Sequence, residues 1–107
     1  MATTISFKHE GEEYCLEYTR ATVKRMEDQG FSPKKILEAP MTYLPELFAG
    51  AFAANHKYIK RKAIDAMFEK MSGKSELLNI LLEMYNEPIA ALTEETDEGN
   101  KIEWTRG

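Results

Sequence analysis

The chain has 107 residues, of which 43% are hydrophobic and 30% are charged, and its formal net charge is -4. This composition is typical of a globular protein, and the length fits one domain, residues 1–107, with a small core. The negative charge argues against a protein whose main role is to bind nucleic-acid phosphates. The single cysteine, Cys15, excludes an internal disulfide and favours a reducing compartment.

The N-terminus and the apolar runs indicate where the protein resides. The first ten residues, MATTISFKHE, lack the basic start and the apolar run of a secretory signal. The longest apolar run, residues 47–54, is much shorter than the roughly 20 residues that a membrane-spanning helix needs. We therefore expect a cytoplasmic protein with no membrane partner.

Residues 4–18 are predicted to form a β-hairpin. Apolar and polar side chains alternate with a period of two on both sides of Gly11, as they do in half-buried strands. Glycine at this position permits the positive φ of a tight turn. A lone hairpin is barely stable in water, so its apolar face must pack on a helix. That face comprises Ile5, Phe7, Tyr14, Leu16 and Tyr18.

The remainder of the chain up to residue 92 is predicted to be helical. Thr19 is the expected N-cap of the first helix, and Thr42 that of the third, with Pro45 inside its first turn. Pro88 lies within the last helix, where the apolar stripe keeps its phase, so we expect a kink there. The fold class is thus α+β, a hairpin packed on a bundle of about four helices. The predicted helical segments are 20–29, 33–38, 43–55, 60–71 and 76–92.

The last 15 residues, 93–107, differ in composition from the rest. Acidic residues and a Gly-Asn turn signal at 99–100 predict a mobile acidic tail. Within it, residues 101–104 are a candidate for a short strand added to the hairpin.

Residues 42–55, TYLPELFAGAFAAN, predict a helix that is apolar almost all the way round. Such a helix needs burial on several sides, so it is either the central strut of the domain or a surface for another chain. The last helix carries two apolar strips side by side. We predict that this excess apolar surface binds a helical client through i, i+3, i+4 and i+7 anchors. The predicted partner-binding residues are Leu44, Leu47, Phe48, Phe52, Leu77, Ile80 and Met84.

Small side chains on the same helix suggest self-association as well. A second helix can approach closely where residues are small. A homo-oligomer is therefore a further expectation. The small residues concerned are Ala49, Gly50, Ala53 and Ala54.

Nothing in the sequence predicts catalysis, a cofactor or a metal site. His9 and His56 are far apart and lack the paired spacing of metal ligands. Cys15 has acidic neighbours, which is an unfavourable setting for a thiolate nucleophile. We therefore expect a protein that is not an enzyme.

A basic stretch begins the fourth predicted helix and supports an alternative function. Lys57, Lys60, Arg61 and Lys62 lie close to Tyr58, which can stack on a base. The alternative is a small nucleic-acid-binding regulator. A solvated helix start explains the same residues, and an acidic protein partner or the acidic tail can also pair with them.

Four stretches of the chain resemble the small tail assembly chaperones of long-tailed phages and prophages of Gram-positive bacteria. They are FKHEGEEYCLEYTRATVKRMEDQGF, MTYLPELFAGAFAANHKYIKR, the pair Ile64 and Asp65, and GNKIEW. The resemblance implies a non-enzymatic protein that coats the tape measure protein, recruits tail tube subunits and resides in the host cytoplasm. It carries over no catalytic residue. A structural tail-completion or connector protein is a third reading.

Overall fold

The computed structural model of the chain describes residues 3–93 and 102–106 and has an α+β fold, as predicted. A two-stranded antiparallel hairpin comes first and five helices follow. The strands are β1 (Ile5–His9) and β2 (Glu12–Leu16), and the helices are α1 (Arg20–Asp28), α2 (Pro33–Glu38), α3 (Pro40–Gly50), α4 (Arg61–Lys70) and α5 (Lys74–Ala91).

The hairpin has the register that the alternating pattern predicts. Ile5 lies opposite Leu16, and Phe7 lies opposite Tyr14. The two residues between the strands, Glu10 and Gly11, have φ values of 50° and 82°. Two successive positive φ angles are typical of the two-residue turn that matches the twist of a hairpin. The predicted apolar face points to the helices, with Leu16 fully buried.

Local signals place most helix ends close to their predicted positions. The hydroxyl of Thr19 accepts a hydrogen bond from the Thr22 amide at 3.1 Å, so Thr19 caps α1 as predicted. α4 ends at Lys70, where Met71 takes an extended conformation, and α5 starts at Lys74 after Gly73, whose φ is 57°. α5 then continues through Pro88 to Ala91.

The third helix lies earlier in the chain than predicted. α3 spans Pro40–Gly50, whereas the pattern predicted residues 43–55. Ala39 ends α2 and also precedes the first residue of α3, where the fixed φ of Pro40 favours a helix start. Pro45 consequently lies inside the helix and not in its first turn. Residues 51–55 form successive turns.

α3 is the central strut of the domain, the first of the two alternatives for this apolar helix. It packs on α2, α4 and α5. Its backbone continues into Ala51 and Phe52, which are 0% and 1% exposed. The fully buried side chains of large volume are Tyr85, Phe48, Phe52, Leu16, Leu47, Leu81 and Met84.

The predicted acidic tail lies mostly outside the described residues. Thr93 forms part of a turn after α5, and residues 94–101 and 107 are not described. Residues 102–106 have no regular secondary structure, so the part of the predicted strand that is described is not paired with the hairpin. No helix in the described part of the chain is long and apolar enough to cross a membrane.

Candidate functional site: a groove across α3

Most of the predicted partner-binding residues lie in the interior of the subunit. Five of them are at most 8% exposed and belong to the core, while Leu44 and Ile80 are half-buried. The physical reason is that α2, α4, α5 and the hairpin together surround the apolar helix. The sequence had predicted that this helix has more apolar surface than one subunit can bury. A surface for a partner must therefore be formed largely by other residues. The five core residues are Leu47, Phe48, Phe52, Leu77 and Met84.

An open groove of about 660 Å³ crosses α3 between α1 and the start of α4. We call it the α3 groove. Its floor contains the small residues Ala49, Gly50 and Ala53. Phe52 also lines it and is the one predicted partner-binding residue that does so. The small-residue strip of the sequence is thus placed at the bottom of a concave surface, not on an outer helix face.

Gly50 has a specific packing role in this floor. A Cβ atom at this position would lie 2.5 Å from both Sδ and Cε of Met26 on α1. Glycine therefore lets Met26 cross α3 closely and form one wall of the groove. The small size of Gly50 thus serves packing within the subunit, and the self-association predicted from the sequence stays a prediction. Ala49, Ala53 and Ala54 are half-buried.

The walls of the α3 groove combine apolar and polar side chains. Phe31 and Tyr43 pack edge to face with ring centroids 6.2 Å apart at one end of the groove. Ile59 lies in the connection that leads to α4, and it lines the groove with Met26 and Ile64. Uncharged polar side chains lie among these apolar groups, so the groove fits an amphipathic partner with an apolar strip. They are Thr22, Gln29 and Thr42.

The rim of the groove carries charged groups of both signs. Arg61 is 2.9 Å from a Glu46 carboxylate oxygen and donates to Asp65 at 2.9 Å. Partial burial lowers the pKa of Arg61, but the hydrogen bonds to Asp65 and Glu46 outweigh this effect and raise the pKa above its ordinary value. Arg25 and Lys57 also line the groove. Arg61 thus clamps α4 to α3, while Arg25 and Lys57 add positive charge to the rim.

The four residues of the predicted basic patch have different surroundings. Arg61 is engaged by two carboxylates, and Lys57 faces the α3 groove. Lys60 precedes α4 and Lys62 lies in its first turn, and both are exposed. Tyr58 is 95% exposed. All four basic residues are exposed, but only Lys60 and Lys62 lie outside the lining of the α3 groove.

The two histidines and the cysteine make contacts within the hairpin or between the hairpin and the connection after α3. The Cys15 amide donates a hydrogen bond to Nε2 of His56 at 3.0 Å, so His56 joins the connection after α3 to the hairpin. His9 is 3.8 Å from a Glu10 carboxylate oxygen in the turn. Within residues 3–93 and 102–106 there is no group of three or more histidine, cysteine or acidic side chains that could hold a metal ion.

Sequence reasoning missed most of the groove. Met26, Phe31, Tyr43 and Ile59 come from separate segments, and each reads as an ordinary core residue. A glycine within an otherwise apolar helix was the one signal of close approach at this point. Leu37 and Met41, which are 86% and 91% exposed, form further apolar surface at the junction of α2 and α3.

Of the comparisons with known proteins, the one with protein-family models finds a match, and that match covers the whole chain. The family model described as domain of unknown function DUF5055 matches residues 1–107. A search of the curated proteins finds no significant match, and a search of the solved structures finds none either. The chain therefore belongs to the DUF5055 family.

Proposed function

We propose that this protein is a non-enzymatic tail assembly chaperone of a long-tailed phage, which binds an apolar helical segment of a client in the α3 groove. The client class is a long helical protein such as the tape measure protein. The observation that carries the proposal is the open groove beside α3, in which small side chains lie next to the apolar groups of Phe31, Tyr43 and Ile59. The resemblance of the sequence to phage tail assembly chaperones supplies the biological setting.

The dimensions of the groove support a helical client. α3 has 11 residues, which corresponds to a length of about 17 Å. A client helix of about three turns can lie along this length, and anchors at i, i+3, i+4 and i+7 fall within it. Ala49 and Ala53 in the floor let the client backbone come close, because the distance between two helices depends on the side chains at their contact.

The charges on the rim define the client further. Glu46 is already paired with Arg61, whereas Arg25 and Lys57 take part in no ion pair among the described residues. A client helix with acidic residues beside its apolar strip would complement these two cations. The acidic overall charge of the protein disfavours long-range attraction of such a client, so binding should depend mainly on apolar contact.

A charged side chain in the floor tests this proposal. Ala53→Lys places a long cationic side chain in the α3 groove, and we expect it to weaken client binding at least about tenfold. The measurement is co-purification and calorimetric titration with the tape measure protein encoded in the same gene cluster. The matched control is Ala66→Lys, which adds the same side chain on an exposed position of α4 outside the groove.

Two results would contradict the proposal. The first is full binding of the tape measure protein by a folded Ala53→Lys variant. The second is the absence of any complex between the tape measure protein and the unmodified chain. A third measurement, the presence of this protein in purified phage particles, would instead favour a structural tail component, because a chaperone leaves before the particle is complete.

Nucleic-acid binding is a second candidate function, favoured by the 95% exposure of Tyr58 between lysines. The double change Lys60→Glu and Lys62→Glu reverses the charge of the two basic residues that do not line the α3 groove. Loss of salt-dependent DNA or RNA binding in this variant would support the regulator. Unchanged client binding in the same variant would support the chaperone.

A further inference from the structure

The two outer edges of the hairpin differ in their hydrogen bonding. The outer edge of β2 is covered by the residues that follow α3. The Cys15 amide donates to His56 at 3.0 Å, the Asn55 side chain donates to the Cys15 carbonyl at 3.1 Å, and the Glu17 amide donates to the Ala51 carbonyl at 3.0 Å. β2 therefore has partners on both sides.

The outer edge of β1 has no such cover. Because the turn has two residues, His9 and Glu12 on either side of it form a hydrogen-bonded pair. Hydrogen-bonded and non-hydrogen-bonded pairs alternate along antiparallel strands, so Phe7 and Ile5 also lie in hydrogen-bonded pairs. The backbone groups of Ser6 and Lys8 consequently point away from β2. No backbone–backbone hydrogen bond in the described ranges reaches these groups, and the sheet of the described residues ends at β1. We call this side of β1 the open edge.

The end of the chain has the pattern of a strand that fits such an edge. In residues 102–106, Ile102 and Trp104 alternate with Glu103 and Thr105. Ile102 is 90% exposed and Trp104 is 83% exposed. Among the described residues, an amphipathic segment without a strand partner and an open strand edge thus occur in the same subunit.

We propose that residues 102–106 of one copy add as a third strand to the open edge of β1 in a second copy. The occupant is a second copy because, among residues 3–93 and 102–106, neither the segment nor the edge has a strand partner, and Glu103 of the segment and Lys8 of the edge have opposite charges. Strand addition would satisfy the outward backbone groups of Ser6 and Lys8, and it is an established mode of peptide recognition. This interface is independent of the α3 groove.

Side chains on both faces of β1 suit this added strand. Phe7 is half-buried, with its ring stacked on Tyr14 at 5.3 Å and edge-on to Phe52 at 6.4 Å. An added strand would bring Trp104 beside Phe7 on this face. On the opposite face Lys8 is exposed, and Glu103 supplies the opposite charge. Apolar and charged residues therefore match in the same register.

Trp104 provides a direct test because it is the only tryptophan. Its emission and the sedimentation coefficient are measured over a wide range of protein concentration. We expect the emission to shift to shorter wavelength in step with the formation of dimers or longer assemblies. A monomer with solvent-exposed Trp104 emission at all concentrations would overturn the proposal. A monomer with shielded Trp104 at all concentrations would also overturn it, since the segment would then pair with its own β1.

A mixing experiment tests the two halves of the interface separately. Ser6→Pro removes an outward-pointing amide, which an edge strand tolerates, and a second variant ends at residue 101. We expect each variant alone to associate at least about tenfold more weakly than the full chain, and an equimolar mixture to form a heterodimer. The matched control, Ser6→Ala, keeps the amide and should associate normally. Full self-association by the shortened variant would refute the proposal, even if Ser6→Pro failed to fold.

Discussion

Two tyrosine hydroxyl groups lie in the core and differ in their hydrogen bonding. The Tyr18 hydroxyl donates to the carbonyl of Leu47 near the end of α3. That carbonyl does not accept the usual helical bond, because the Ala51 amide donates to Phe48. The Tyr85 hydroxyl is buried and has no hydrogen-bond partner among the described residues. The rings of Tyr18 and Tyr85 pack edge to face, with centroids 5.4 Å apart.

Replacement by phenylalanine should therefore affect the two positions differently. Tyr18→Phe leaves the Leu47 carbonyl buried without a donor and should lower the free energy of unfolding by about 1–3 kcal/mol. Tyr85→Phe removes a hydroxyl that makes no hydrogen bond in the described structure, so the free energy of unfolding should stay constant or rise. Urea denaturation of both variants is the measurement. An equal decrease in the free energy of unfolding for the two variants would contradict this explanation.

At the scale of elements, the turns after α3 hold the hairpin on the helices. Asn55 donates to the Cys15 carbonyl and to the Glu17 carboxylate, at 3.1 and 3.0 Å. His56 accepts from Cys15 and packs against Tyr14 with centroids 5.2 Å apart. This cover of β2 limits the hairpin to one accessible edge, which is why the proposed strand addition concerns β1.

Asn55→Ala should loosen the hairpin without disturbing the helices. We expect a loss of about 1 kcal/mol, because the hydrogen bonds are exposed and water replaces part of them. Hydrogen exchange should accelerate at Cys15 and its neighbours and stay unchanged in α4 and α5. Asn79→Ala, at an exposed position of α5, is the matched control. Uniformly faster exchange throughout the molecule would show that Asn55 supports more than the hairpin.

For the whole molecule, the buried tyrosines predict how stability depends on alkaline pH. Burial, with a smaller contribution from Tyr85, raises the pKa of Tyr18 well above its ordinary value of 10.0. Burial and then the charge of Glu27 raise the pKa of Tyr85. The folded state thus keeps protons that the unfolded state releases. This contribution to stability is fully present below pH 10 and is lost as the pH rises above 10.

The free energy of unfolding should fall above pH 10 by up to about 1.4 kcal/mol per pH unit for each such tyrosine. Urea titrations between pH 8 and 11.5 measure this slope. Tyr18→Phe should make it shallower, whereas Tyr58→Phe removes an exposed hydroxyl and should leave it unchanged. A slope that is the same in the Tyr18→Phe variant and the unmodified chain would argue against this origin.

Local sequence patterns were sufficient to predict the α+β class, the hairpin with its apolar face and the Thr19 cap. Each of these depends on residues within a few positions of one another, where alternation, turn chemistry and capping act directly. The start of α3 was missed because Pro40 can end one helix and begin the next, and local preference does not decide between the two. Here Ala39 is both the C-cap of α2 and the N-cap of α3, so the two helices adjoin directly.

Burial of the apolar helix, by contrast, was decided only by the tertiary structure. The sequence by itself determined that residues 42–55 need cover on several sides, because their side chains leave almost no polar face. Whether that cover comes from the same subunit depends on contacts between elements far apart in the chain, such as Met26 with Gly50 and Tyr18 with Leu47. These contacts buried Leu47, Phe48 and neighbouring predicted anchors and left a groove above the small residues, since packing geometry between distant segments is not encoded in local periodicity.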